Sequence, residues 1–253
     1  MISVTILTKN SQKYIEKILD SLRTFPEVVV LDSGSFDETL SLAKKYPNVR
    51  IHTHEFSGFG KAHNLATSLA SHDWIFSLDS DEVPTAELIE EILSLTLDPK
   101  CVYSIWRKNI YRGKWIRGCG WYPDRVVRIY NRKATSFSND AVHEKVLRDG
   151  LNVIDLKHPA EHVPYASTQD FLSKMRLYSE LFAEQYSGKK SSSTSCALLH
   201  GIFAFLKSYL LKCGIFLGSQ GFEISAYNGI TAFYKYLALR DINAKRASSP
   251  KKT

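Results

Sequence analysis

The sequence lacks the features that mark several protein classes. Its four cysteines, Cys101, Cys119, Cys196 and Cys213, are scattered with no CxxC pair. That excludes a zinc ribbon and a disulfide framework and suits a reducing compartment. No apolar run reaches the roughly 18 residues of a membrane span, so no transmembrane helix is predicted. The opening Met1-Ile2-Ser3-Val4-Thr5 has neither a basic start nor a long apolar run, so no signal peptide is expected. No GxGxxG follows the first predicted strand, which argues against an NAD-dependent enzyme. What remains is ordinary globular composition: 253 residues, 44% hydrophobic and 23% charged. A chain of that length buries a core without staples and is too apolar to be mainly disordered.

The net charge of +7 hides a division. Residues 1–99 carry 8 Lys+Arg against 15 Asp+Glu, and residues 100–253 carry 25 against 11. The acidic half and the basic half suggest two jobs, the basic one facing an anionic partner or forming a solvated surface.

Hydrophobic periodicity predicts alternating strands and helices over the first hundred residues. Ile2 to Thr8, Val28 to Leu31, Val49 to His52 and Trp74 to Leu78 read as strands. Ile15, Ile18, Leu19 and Leu22 fall on one helical face, further helices are expected around Leu40 to Ala43, Ala62 to Ala70 and residues 85–95, and no internal repeat occurs. This alternation implies an α/β fold with a mainly parallel sheet covered on both faces, whose ligands bind beyond the carboxyl ends of the strands. Thr8-Lys9-Asn10, Asp32 and Asp79-Ser80-Asp81 all stand at such ends.

In an extended segment Asp79 and Asp81 point the same way, and paired hard oxygens suit Mg²⁺ or Mn²⁺ beside substrate phosphates. The bland alternative is a helix-capping turn. Asp32, Thr8 and Asn10 can hydrogen-bond a nucleoside or merely cap local structure. Glu144 and Asp124 qualify by type as a general base. For Asp124 the alternative is an ion pair with Arg125 or Arg128. His143 can complete a metal site or be a structural histidine. Trp106, Tyr111, Trp115, Trp121 and Tyr122, mixed with Arg107, Arg112, Arg117 and Arg125, form either core or a wall for an anionic, ring-containing acceptor.

Beyond about Thr168 the pattern is helical, with a polar linker at Gly188–Ser195 and a third helix at roughly Ala226 to Leu239. Leu198, Ile202, Phe205, Leu206, Tyr209 and Leu210 share one face. These helices either cover the sheet or lie on an anionic membrane surface.

Ser3 to Asn10, Val30 to Thr39 and Leu78 to Glu82 resemble the family 2 inverting glycosyltransferases. Gly118 to Asp124, Arg128 to Arg132 and Val142-His143-Glu144 narrow the resemblance to the bacterial lipopolysaccharide-core glucosyltransferase branch. It implies a GT-A fold, with a Rossmann-like nucleotide-sugar-binding domain followed by C-terminal amphipathic helices, and UDP-glucose as donor. By that analogy Thr8, Asn10 and Asp32 touch the nucleoside, with Lys61 in the same donor-binding set. Asp79 and Asp81 meet the diphosphate through Mn²⁺ or Mg²⁺, with His143 as a further metal ligand. Glu144 is the implied base and Asp124 its competitor, since Pro123-Asp124 stands where the family keeps a Glu-Asp pair.

The expected organisation is a catalytic domain over 1–165 (a donor half, 1–99, and an acceptor half, 100–165), a helical region over 166–243 and a disordered basic tail over 244–253. The acceptor is a lipid-linked or lipopolysaccharide-core glycan, no nucleic acid is involved, and the expected location is the inner face of the cytoplasmic membrane. The rival readings are a sugar-1-phosphate nucleotidyltransferase and a non-catalytic membrane- or polyanion-binding module.

Overall fold

The computed structural model describes residues 1–140, 144–165 and 167–248. They form two compact units, one of Met1–Lys108 with Asp124–Val163, the other of Asn109–Pro123 with Pro164 onward. Residues 109–123, grouped with the acceptor half in the sequence reading, thus cluster with the C-terminal helices.

The first unit follows the predicted alternation: β1 (Ile2–Thr8), α1 (Ile15–Ser21), β2 (Glu27–Asp32), α2 (Thr39–Ala43), β3 (Val49–Thr53), α3 (Phe59–Leu69), β4 (Trp74–Asp79), β5 (Glu82–Pro84) and α4 (Ala86–Ser94). Then come β6 (Cys101–Tyr111), the short β7 (Lys114–Trp115, in the second unit), β8 (Arg125–Asn131) and β9 (Asn152–His162). The sheet order is β3-β2-β1-β4-β8-β6-β9-β5. Its first four strands are parallel, and β8 runs antiparallel to β4 and β6.

Strands buried on both faces read as unbroken apolar runs, and β2 is buried at every position. Its side chains alternate between layers. Val28 and Val30 join Ile18, Ala43 and Leu88 of α1, α2 and α4, while Leu31 meets Ala62 and Ala66 of α3. Thr85 starts α4 by accepting the Leu88 N–H at 3.3 Å, a side-chain cap. The registers pair Thr8 with Asp32 and Leu7 with Asp79, which sets the polar ends of three neighbouring strands level on one sheet edge.

At the opposite end of β2, Glu27 is buried. Its carboxylate accepts from Ser3 Oγ at 2.5 Å, Ser71 N at 2.7 Å, Ser71 Oγ at 2.8 Å and Arg50 Nη1 at 2.7 Å. Burial resists its charge, but these donors outweigh burial and hold the pKa near 2, against 4.5 for an ordinary glutamate. A depressed carboxylate contributes stability that is complete above its unfolded pKa and lost as pH falls from about 4.5 toward 2. The loss amounts to about 3 kcal/mol. Thermal melts across this window should show a steeper fall for the wild type than for Glu27→Gln, and parallel curves would refute the assignment.

In the second unit, Ser167 caps α5 (Thr168–Tyr186) and Ser193 caps α6 (Thr194–Leu206), accepting from Asp170 N at 3.0 Å and Cys196 N at 3.1 Å. A π-helical turn at Lys207–Leu211 and a 3-10 turn at Gly214–Leu217 lead into α7 (Gly218–Ser248). Gly221 must lack a side chain, because a Cβ there would lie 1.8 Å from the Gly214 carbonyl oxygen. Tyr111, Ile116 and Cys119 pack with Ile224 of α7, and Phe171 of α5 stacks on Tyr227 at 3.9 Å.

Three features differ from expectation. β5 and β9 fall on segments where the periodicity predicts no strand. The last helix starts at Gly218 rather than Ala226, and it continues through Ser248 into the segment expected to be disordered. Ala244-Lys245-Arg246 are strong helix formers and extend it.

Candidate active site

The three polar clusters gather at the carboxyl edge, as the strand ends require. Asn10, with φ of +53°, folds the chain after β1 back onto the turn after β2. Its Oδ1 accepts the Phe36 N–H at 3.0 Å and its N–H donates to Ser35 Oγ at 2.8 Å. Asp32 is buried and organises that turn, with Oδ2 accepting from Gly34 N and Ser35 N at 2.9 Å and Oδ1 from Ser35 Oγ at 2.5 Å. These bonds close the turn rather than cap α2, which begins at Thr39. The Thr8 hydroxyl is buried beside Asp32 without a hydrogen-bond partner. Ser80, between the two aspartates, meets Ser11 at 2.6 Å, so the acidic turn and the loop after β1 are joined. Lys61 is exposed on the first turn of α3.

Asp79 is enmeshed in a charge network. Arg128 of β8 is buried and donates through Nη2 to Asp79 and, at 2.5 Å, to Glu82, which is fully buried. Arg107 of β6 reaches the same Glu82 oxygen at 3.2 Å and grips Asp124 with two hydrogen bonds of 3.0 Å. Burial opposes the charge on Asp79, but Arg128 overrides it and holds the carboxyl below its ordinary range. His63 of α3 faces Asp79 from the other side, with Nε2 3.6 Å from Oδ1, its Nδ1 3.0 Å from Ser77 Oγ and its ring stacked 4.2 Å from Phe137. Burial pushes its pKa down to about 4, so the imidazole is neutral at pH 7. Arg128, Glu82 and His63 were not picked out as site residues, because their partners come from strand pairing and packing rather than sequence proximity. Asp124 is indeed in an ion pair, but with Arg107 instead of Arg125 or Arg128. With both oxygens so engaged it suits a structural tie between β6 and the start of β8 better than proton transfer.

Glu144 stands half-buried on the segment that returns from Phe137 to Val146, two residues joined by an antiparallel bridge. Ser138 N donates to the Lys145 carbonyl at 2.8 Å, closing that return. Gly60 admits its approach, because a Cβ there would lie 1.9 Å from the Ser138 carbonyl oxygen. Burial raises the Glu144 pKa to about 7, its own backbone N–H pulls the other way, and the Asp79 charge adds to the rise against Arg128 and Arg107. His143 lies outside the described residues, as does Val142.

The donor set fits a divalent cation. Asp79, kept ionised, and Asp81, whose Oδ1 lies 3.5 Å from His162 Nε2, supply hard oxygens at one strand end. Among the described residues no group of three or more His, Cys, Asp or Glu is arranged to hold a metal. Such an ion would draw its remaining ligands from phosphate and water, as Mg²⁺ commonly does.

Residues 3–151 match the family described as Glycosyl transferase family 2. The chain belongs to that family. This family 2 glycosyltransferase is 28% identical to an uncharacterized glycosyltransferase of Rickettsia typhi, covering 96% of this chain and 88% of the relative. It is 27% identical to the lipopolysaccharide core biosynthesis glycosyltransferase LpsC of Rhizobium meliloti, covering 97% and 93%. Its fold resembles the mannosyltransferase PcManGT of Pyrobaculum calidifontis, solved with GDP-Man and Mn²⁺, at a TM-score of 0.52 and 17% identity over 93% of this chain and 86% of that one. Residues 1–349 of Staphylococcus aureus TarS, solved with UDP, give a TM-score of 0.50 and 19% identity, covering 99% and 93%. The fold of this family 2 glycosyltransferase is therefore GT-A and its chemistry is sugar transfer, which sets aside the nucleotidyltransferase and non-catalytic readings.

Proposed function

We propose that this family 2 glycosyltransferase moves glucose from UDP-glucose, with inversion and in the presence of Mn²⁺ or Mg²⁺, onto a hydroxyl of a lipopolysaccharide-core or lipid-linked glycan at the inner face of an anionic cytoplasmic membrane. The observation that carries the reading is the level register of Thr8, Asp32 and Asp79 on one sheet edge. That edge is where nucleotides bind in open α/β sheets. Likeness to LpsC supports the acceptor class, and the UDP carried by TarS supports the donor nucleotide.

In this reading Thr8, Asn10 and Asp32 line the nucleoside end, Lys61 contributes charge toward the donor, and Asp79, Asp81 and His143 hold the metal. A bound divalent ion supplies Lewis-acid neutralisation of the charge on the departing diphosphate. Glu144 takes the proton of the acceptor hydroxyl as its oxygen bonds to the anomeric carbon from the face opposite the nucleotide. The bond from that carbon to the diphosphate oxygen breaks, and its electron pair leaves with UDP. Arg128 keeps Asp79 charged and in place throughout.

Calorimetric titration tests the donor site. Wild type should bind UDP more tightly with Mn²⁺ than without, and Asp81→Ala should abolish that difference while keeping its thermal stability. UDP binding indifferent to metal in both proteins would overturn the metal assignment, and no UDP binding at all would overturn the donor.

A further inference from the structure

The helical unit wears its apolar residues on the wrong side for a soluble helix pair. Where α6 meets α7, Ala197 and Gly201 of α6 are buried, as is Ser208 in the turn that follows, with Phe205 packed beside Phe222 of α7. Gly201 lets the backbones close, because a Cβ there would lie 3.1 Å from the Gly229 carbonyl oxygen and 3.0 Å from Phe233 Cβ. Other large side chains are left exposed. Leu199, Ile202, Phe203 and Leu206 of α6, with Leu211 and Phe216 of the turns that follow, are all exposed, Leu211 at 73% and Phe216 at 83%. A contiguous apolar surface of this kind on a folded protein marks an interaction site.

Charge identifies the occupant. Residues 185–222 contain no Asp or Glu and four lysines, Lys189, Lys190, Lys207 and Lys212. The loop that carries Arg117 is fastened beside the tip by the Cys119 N–H, which donates to the Lys212 carbonyl at 2.7 Å. The whole second unit holds 15 Lys+Arg against 5 Asp+Glu. Lys207 lies over the Phe203 ring at 6.0 Å, a long stem along apolar surface with its ammonium at the rim. An apolar face rimmed by cations and empty of carboxylates complements an anionic lipid headgroup layer.

We propose that α6 and the turns at Lys207–Leu217 dock this unit on an anionic phospholipid bilayer, lying in the interface rather than crossing it. Thr194–Leu211 is long and apolar enough by composition to span a membrane. Its small-residue face, however, is packed on α7, which carries Glu223, Lys235, Arg240 and Asp241. Immersing that partner would strand its charges in hydrocarbon. The proposal deepens and rests on the membrane-acceptor reading above, and its test uses neither donor nor acceptor, so its failure leaves sugar transfer untouched.

The test is co-sedimentation of the purified chain with vesicles of phosphatidylcholine alone or phosphatidylcholine doped with phosphatidylglycerol. Wild type should sediment with the doped vesicles, stay in solution with the neutral ones, and be released by alkaline carbonate. Leu211→Asp with Phe216→Asp, at exposed positions that leave the melting curve unchanged, should weaken binding about tenfold or more. Lys207→Glu with Lys212→Glu should weaken it by a similar factor. Equal sedimentation with both vesicle types, no sedimentation with either, or retention after carbonate would each overturn the proposal. So would a dimer in sedimentation velocity that Phe216→Asp dissociates without any vesicle binding, which assigns the face to a second copy.

Discussion

Glu144→Gln is expected to lower kcat for sugar transfer by about 10²- to 10⁴-fold, the usual worth of a general base, while leaving UDP binding as in the wild type. The amide keeps the shape of the side chain and removes its capacity to accept a proton. The carboxyl is half-buried and feels the charges of Asp79, Arg128 and Arg107, the network at the carboxyl edge where donor binding is proposed. Asp124→Asn makes the comparison decisive. Arg107 holds both Asp124 oxygens at 3.0 Å, so that change should lower stability more than it lowers kcat. Near-normal turnover in Glu144→Gln, with collapse of kcat in an Asp124→Asn protein of unchanged stability, would transfer the role to Asp124.

Arg128→Leu should cost about 3–5 kcal/mol of folding stability, the usual penalty for removing one partner of a buried ion pair. The fully buried Glu82 would lose its shorter cationic contact, and Asp79 would lose the guanidinium that keeps it ionised. A midpoint measured in urea reads the first effect, and weaker metal-dependent UDP binding reads the second. Arg128→Lys should recover part of the stability, since a single ammonium lacks the planar fork that presents several donors at once. Adding Glu82→Leu to Arg128→Leu should restore more of it, because a buried apolar pair is often as stable as the ion pair it replaces. A urea midpoint equal to wild type for Arg128→Leu alone would show that these carboxylates are neutralised by other means.

The sequence by itself determined the architecture of the parallel part of the sheet. Short β-branched runs separated by helical periodicity can be buried only as a sheet covered on both faces, and the polar residues that end those runs must then meet on one edge. The sequence alone therefore places Thr8, Asp32 and Asp79 on that edge. β9 was not legible in the sequence, because only Leu156 and Ala160 of its eleven residues are buried and no alternation marks it. β5 was hidden for a different reason: it is three residues long and ends in Pro84.

Tertiary structure decided whatever depends on which surfaces meet. The antiparallel return of β8 beside β4 brings Arg128 to Asp79, 49 residues away, and the neighbouring β6 brings Arg107 to Glu82 and Asp124. The same holds for α6, whose leucines at helical spacing read equally well as a core stripe or as a lipid-facing one. The sequence period names the face of a helix but not its neighbour. Here the close approach of Gly201 and Gly229 turns Ala197 and Gly201 inward and leaves Leu199, Ile202, Phe203 and Leu206 outside. Burial is a property of the partner surface as much as of the residue, and the partner is chosen only when the chain folds.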